Sequence, residues 1–433
     1  MALLQILSTE GLARISEDGR PTPVLAKNWN VASDGQSVSI TLRSDVKFHD
    51  GSTNTSELVA TELRRVLEPF MGPAFDDVEY IRPTGQSQID IGFKRPSPFL
   101  LEALEAGINT NSGAGTGPFV AVGPSAPNEM RANEHYYLGR PMIDRIVVSP
   151  YPNVRSAWAD MLRDRIDMLY EVGTDALESL TAARSVSLFT YIRHYQYVLV
   201  FNTRTEALRS REVRQALARA IDHDALMRDA FDGHAVASSG PVWPQNWAFR
   251  QNLPKASFDP KSAAGMLTSH PVRFKCLVRP GLDRIAIVLK RQLEAVGAVM
   301  SIEEAPFDTI VERINDRDFD AVLTELISGP SLLRPYQLWR SGGTGRLKNL
   351  GTPKLDAAFD RVRFARNDDE YRAGVASIQQ AIVDDPPALF LAWPERARAV
   401  SRRFDVAAEP NRDILTTLRL WRPTNALEYA NRN

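Results

Sequence analysis

The stretch Pro23–Gly51 constrains the fold of this chain more than any other. Trp29 and Val31 alternate with polar neighbours, and Ser33-Asp34-Gly35 supplies a turn that glycine closes easily. Val38, Ile40 and Leu42 then alternate with Ser39, Thr41 and Arg43. A period of two on either side of a glycine turn predicts a β-hairpin whose second strand is half-buried. Phe48-His49-Asp50-Gly51 adds a second turn. Behind an Asn54 or Thr55 cap, Leu58, Val59, Leu63, Val66 and Leu67 recur at helical spacing and predict a helix over 55–67. By pattern alone, any antiparallel hairpin reads this way.

The rest of the chain alternates strand and helix patterns. Residues 2–15 read as a short amphipathic helix with Leu3, Leu4, Leu7 and Leu12 on one side. Residues 197–202 read as a buried strand. In the helix that follows, Val213, Leu217, Ala220 and Ile221 face the core, and Arg214 is placed to reach a carboxylate or carbonyl. Strands are expected at 89–93, 167–170, 272–278, 299–304 and 318–323, with helices at 99–106, 153–165 and 283–296. A last strand, 386–393, returns to the first part of the chain. This alternation predicts an α/β protein with largely open sheets.

Composition removes several function classes. The 433 residues suffice for two or three cores, and the net charge of −1 leaves no global basic field for nucleic acid or an anionic membrane. Cys276 is the only cysteine, so neither an intramolecular disulfide nor a thiolate metal cluster can form. No apolar run approaches the roughly 18 residues of a membrane span. The six histidines include no ligand pair at i and i+4, and no Gly-x-Ser-x-Gly elbow occurs. Asp76-Asp77 and Asp384-Asp385 read as caps or solvated faces. No catalytic residue, metal site or cofactor is therefore expected. Gly115-Thr116-Gly117-Pro118-Phe119 lacks the Lys-Ser/Thr of a phosphate loop and reads as a tight turn entering a strand.

The residues themselves resemble one family. Ala26-x-x-Trp29, the Asp34-Gly35 turn, Leu42-Arg43 and Val46-Lys47-Phe48-His49-Asp50-Gly51 are similar to the extracellular solute-binding proteins of the dipeptide, oligopeptide and nickel type. Further matches are Gly115-Thr116-Gly117-Pro118-Phe119, the stretch Asn133 to Gly139, Phe201-Asn202-Thr203 followed by Val213-Arg214-Gln215-Ala216-Leu217, and Phe258-Asp259-Pro260. The resemblance covers essentially the whole chain. It implies a two-lobed periplasmic-binding-protein fold of type II, with mixed sheets flanked by helices and a ligand cleft between the lobes. The lobes are expected at 1–200 with 395–433 and at 201–394, joined by crossovers near Asn202 and near Trp393-Pro394. The implied role is capture of a small organic solute, such as a peptide or sugar, for an ABC permease. The protein is expected to be a monomer outside the cytoplasm, tethered to the membrane by a leader that Met1–Leu7 does not supply. Two alternatives stay open: a ligand-sensing module of the same fold, and an enzyme grown on it.

The same resemblance points to the ligand residues. Ser8-Thr9-Glu10-Gly11-Leu12 stands where the family has Tyr-Glu-Gly-Leu near the cleft, which nominates Glu10 and Gly11, and the glycine loop nominates Thr116. The loop after the 319–326 strand faces the cleft in the family and nominates Glu325, Ser328, Arg334, Tyr336 and Trp339. Trp243 and Trp247 join Tyr336 and Trp339 as loop aromatics able to stack on a flat ligand. Peptide-binding members place an Asp a little further along, but this chain has none between Asp320 and Asp356. That departure counts against a peptide. Glu325 is either the substitute for it or an Arg-paired strand end.

Overall fold

The computed structural model describes residues 2–173, 183, 185–253, 256–341, 350–410 and 412–424. The hairpin read from the sequence opens a four-stranded antiparallel sheet in the order Ala26–Val31, Ser37–Leu42, Gln88–Phe93, Val78–Pro83. Val31 pairs with Val38 across a turn in which Gly35 takes φ +70°, a conformation that favours glycine. Val38, Ile40 and Leu42 are buried as expected, whereas Val31 lies on the edge strand and is exposed. The following helix spans Ser56–Met71, with the Thr55 side chain accepting a hydrogen bond from the Leu58 N–H. Its Val59, Leu63 and Leu67 are fully buried beneath the sheet.

A second, eight-stranded sheet organises the rest. Its main order is Met168–Val172, Ala388–Ser401, Tyr195–Phe201, Ala321–Ile327, Arg273–Val278, Val299–Glu304. Arg273–Val278 is parallel to both of its neighbours, and the remaining pairs are antiparallel, so the sheet is mixed. Helices Arg211–Arg219 and Asp283–Glu294 cover one face, with Val213, Leu217, Ile285 and Leu289 in one core cluster. Arg214 is buried and donates to the carbonyls of Leu208 and Arg209 (2.7 Å each) and Pro386 (2.9 Å), and to Asp385. It thereby ties that helix to the start of the returning strand.

The returning strand is the longest, at fourteen residues. Its Ala388–Ala392 segment pairs with Tyr197–Val200, and its Glu395–Ser401 segment pairs with Val186–Ile192. Pro394 sits at the changeover. It has no N–H for a ladder, and its carbonyl accepts from the Arg193 N–H at 2.9 Å. Leu389 and Leu391 enter one core while Ala388 and Phe390 enter another. Burial on both faces is why this segment reads as a continuous apolar run rather than an alternating one.

The chain start departs from the expected helix. Helix ends at Ser8, and Ala13–Ile15 is a strand paired with Pro21–Pro23. Leu7 and Leu12 are both buried, but in different cores. Beyond the helix, Gly11 makes a close approach: a Cβ there would stand 2.5 Å from the Leu104 carbonyl oxygen. The glycine loop is a close approach of the same kind, as a Cβ on Gly115 would meet the Ser8 carbonyl oxygen at 2.0 Å. Gly115→Ala should therefore cost about 1–3 kcal/mol of stability. Chemical denaturation of that variant within 0.5 kcal/mol of the parent, roughly the neutral range, would refute this packing role.

Candidate functional site

Glu10 lies just beyond the first helix, where it makes an isolated bridge to Ile108. One carboxylate oxygen accepts from the Tyr136 hydroxyl (2.7 Å) and the Tyr137 hydroxyl (3.2 Å); the other accepts from the Thr116 hydroxyl at 2.9 Å. Burial raises the Glu10 pKa, and the three hydroxyls and Arg419 oppose that shift. Burial also raises both tyrosines, with the Glu10 charge adding to it. Four residues further along, strand alternation turns Arg14 away from the buried Ala13. Neither Arg14 nor Arg419 has an ion-pair partner among the described residues. Partial burial and the like charges of Arg412 and Arg419 pull the Arg14 pKa down, against the pull of Glu409. An anionic group entering here would meet the guanidiniums of Arg14 and Arg419, unpaired among the described residues, with Glu409 and Glu10 acting on them from further off.

The opposite wall touches this one. His194, in the tight turn between strands Val186–Ile192 and Tyr195–Phe201, donates from Nε2 to Glu17 at 3.0 Å. Trp243 donates from its indole nitrogen to the Glu17 carbonyl at 2.9 Å and meets His194 and Trp393 edge-on. The Trp247 N–H donates to the Asp18 carbonyl at 2.8 Å. Arg334 stands 3.5 Å from Glu105, whose carboxyl pKa is raised by burial. The backbone N–H groups of Ser328 and Gly329 both donate to the His194 carbonyl at 3.0 Å. Residues 10–20 thus meet 193–194, 241–247 and 328–334 across one seam, lined by Arg, Glu, His, Tyr and Trp. Such a lining can bind and orient a polar solute. Among the described residues no cluster of His, Cys, Asp or Glu could hold a metal, and no helix is long and apolar enough to cross a membrane.

A model of the bacterial extracellular solute-binding proteins, family 5 Middle, matches residues 20–346. The chain belongs to this family. This solute-binding protein is 20% identical to the oligopeptide-binding protein AppA of Bacillus subtilis, over 92% of its own length and 83% of that protein. It is 25% identical to di/tripeptide-binding protein 2 of Pseudomonas aeruginosa, over 86% and 81%. The crystal structure of NikZ from Campylobacter jejuni in complex with Ni(L-His) superposes with a TM-score of 0.83 at 21% identity, covering 96% of this chain and 94% of that one. The fold is accordingly that of a type II periplasmic binding protein, as the resemblance implied.

Of the nominated residues of this solute-binding protein, Glu10 and Thr116 are brought together directly, and Gly11 supplies the close approach beside them. Trp243 and Arg334 stand on the facing wall. Ser328 is buried, with its hydroxyl donating to the Pro241 carbonyl at 2.9 Å. Glu325 is the Arg-paired strand end, 3.3 Å from Arg193 and 3.5 Å from Arg279. Trp247 departs from the group, stacking on Tyr371 with Arg20 over its ring at 3.9 Å. Tyr336 and Trp339 are not loop aromatics. They lie in helix Leu333–Trp339, 0% and 1% exposed, against Phe99 and Phe390. An apolar residue pattern in a short helix makes them core, and buried rings offer a ligand no face. Arg14, Glu17, His194, Arg412 and Arg419 were missed. Only Arg14 had a usable signal, as the exposed position of a short alternating strand.

Proposed function

We propose that the protein captures a small organic solute bearing a carboxylate between two lobes, 1–200 with 395–433 and 201–394, and hands it to an ABC permease outside the cytoplasm. What supports this reading is the pair of guanidiniums, Arg14 and Arg419, which have no ion-pair partner among the described residues, beside the Glu10 cluster. Guanidinium forks hold carboxylates in bidentate geometry, and exclusion of water strengthens each such bond. Opening would turn on the two crossovers, at Phe201-Asn202 and Trp393-Pro394, and would have to part the buried contacts of Arg363 with Asp77 and of Glu102 with Leu332. Peptide-like solutes, opposed by the missing Asp, and other amino-acid derivatives meet this description. The ligand leaves unchanged, in a one-to-one complex, so no turnover is expected.

A thermal-shift screen against peptides, amino acids, sugars and nickel–histidine complexes tests the reading. A true ligand at a hundred times its Kd adds about 2.7 kcal/mol to stability. Arg14→Ala should weaken a carboxylate ligand by about tenfold or more while the ligand-free melting temperature holds. Neutral sugars as the sole hits, or an affinity indifferent to Arg14→Ala and Arg419→Ala, would remove the carboxylate from the proposal.

A further inference from the structure

The motif Phe201-Asn202-Thr203 ends the central strand Tyr195–Phe201 and opens onto a recess of about 340 Å3, within the range of small-molecule sites. The solute seam meets His194 at the start of the same strand, roughly 20 Å away at about 3.3 Å per residue. No residue of that seam is among the described lining of the recess. Phe201, Ile314 and Leu350 are its buried lining residues, whereas Arg204, Asn315 and Arg317 are exposed and open to solvent.

Asn202 sets the two arginines beside each other. It is 7% exposed, its side-chain oxygen accepts from the Arg204 N–H at 3.2 Å, and its side-chain nitrogen donates to the carbonyls of Arg317 (3.3 Å) and Phe319 (2.7 Å). One buried amide thus fixes both backbones. Arg317 caps helix Phe307–Asp316 at φ +61°, and its N–H donates to the Arg313 and Ile314 carbonyls, so the helix-end carbonyls that would repel an anion are occupied. Neither guanidinium has a hydrogen bond or ion pair among the described residues. The neighbouring acids are mostly engaged. Asp318 stands 3.2 Å from Arg313, Asp320 accepts from the Lys275 N–H at 2.9 Å, and Glu206 stands 3.9 Å from Arg209. Asp316 is exposed and outside the lining, where water and salt screen it. Two guanidinium forks at one recess suit a group with two negative charges and several acceptor oxygens. We propose that the recess is a second binding site, separate from the solute seam, for a small molecule carrying a dianionic oxygen group, either a phosphate or a dicarboxylate.

Inorganic phosphate, succinate and acetate, titrated into the full chain by calorimetry in mildly alkaline buffer at constant ionic strength, test this. Phosphate, succinate or both should bind saturably and about tenfold more tightly than acetate, and which of the two does so identifies the source of the charge. Arg204→Gln and Arg317→Asn should each weaken that dianion by about tenfold, the worth of a hydrogen bond to a charged group. Asparagine is chosen at 317 because it accepts the left-handed backbone. If Arg317→Asn loses its cooperative melt, Arg204→Gln, at an exposed position, decides alone. No saturable binding at millimolar probe, acetate as tight as the dianions, or dianion binding unchanged in the folded variants would overturn the proposal.

Discussion

Arg363→Ala should cost about 3–5 kcal/mol of stability. Arg363 is 5% exposed and makes a contact with every nitrogen of its guanidinium. Nε donates to Asp77 at 2.8 Å, one terminal nitrogen to the Tyr336 hydroxyl at 2.6 Å, and the other to the Pro73 carbonyl at 2.7 Å. Asp77 and Pro73 belong to the turn after the Ser56–Met71 helix, whereas Arg363 ends the helix Pro353–Arg363. The side chain therefore ties the four-stranded unit to helices nearly three hundred positions later. Beside it in that seam Phe99 packs against Tyr336. Truncation leaves the Pro73 carbonyl and the Tyr336 hydroxyl short of a donor in a buried setting. Asp77 keeps Arg95, at 2.8 Å, so the loss should fall near the lower figure. Arg95→Ala is the natural comparison: its side chain is 56% exposed, and its removal should cost under about 1 kcal/mol. Urea denaturation of both variants decides the matter. Equal losses would mean that burial is not what gives Arg363 its weight.

Glu102→Gln should flatten the dependence of stability on pH. Glu102 is the same seam's second polar tie, reaching from helix Phe99–Ala103 to the N-terminus of helix Leu333–Trp339 and to Tyr371. Burial raises its pKa from 4.5 to about 7, only partly opposed by Tyr371 and the two backbone donors. A carboxyl raised in this way holds its proton more tightly folded than unfolded. Its favourable contribution is complete below pH 4.5 and is lost as pH rises through about 7. The shift is worth about 3 kcal/mol. The amide has no proton to lose, and its oxygen can still accept from Leu332 and Leu333. Measured from pH 4.5 to 8, the parent should lose about 3 kcal/mol relative to the variant. A constant difference across that range would mean that Glu102 titrates normally.

Much of the local structure was legible because period and turn chemistry act within a few residues. Val38, Ile40 and Leu42 marked the buried face of a strand, Thr55 marked a cap, and Arg214 met the carboxylate and carbonyls expected of it. The chain start misled because Leu3, Leu4 and Leu7 recur at helical spacing and Leu12 continues the apolar pattern, yet Leu7 and Leu12 serve two cores. Between them the chain leaves the helix at Ser8 and passes Gly11, whose lack of a side chain matters only once the Leu104 carbonyl lies against it. Tyr336 and Trp339 misled for a related reason. Aromatic residues near a glycine-proline turn read as a loop platform, and only the packing of the four-stranded unit against helix Leu333–Trp339 buries them.

The amino-acid sequence alone determined the first hairpin, the helix behind Thr55 and the helix around Arg214, and through its motifs the family, since each rests on neighbours close along the chain. Which charges stand free was decided only by the tertiary structure. Glu325 is quenched by Arg193 and Arg279 while Arg14 finds no ion-pair partner among the described residues. Pairing of that kind depends on distances between residues far apart in sequence, and no periodicity records it.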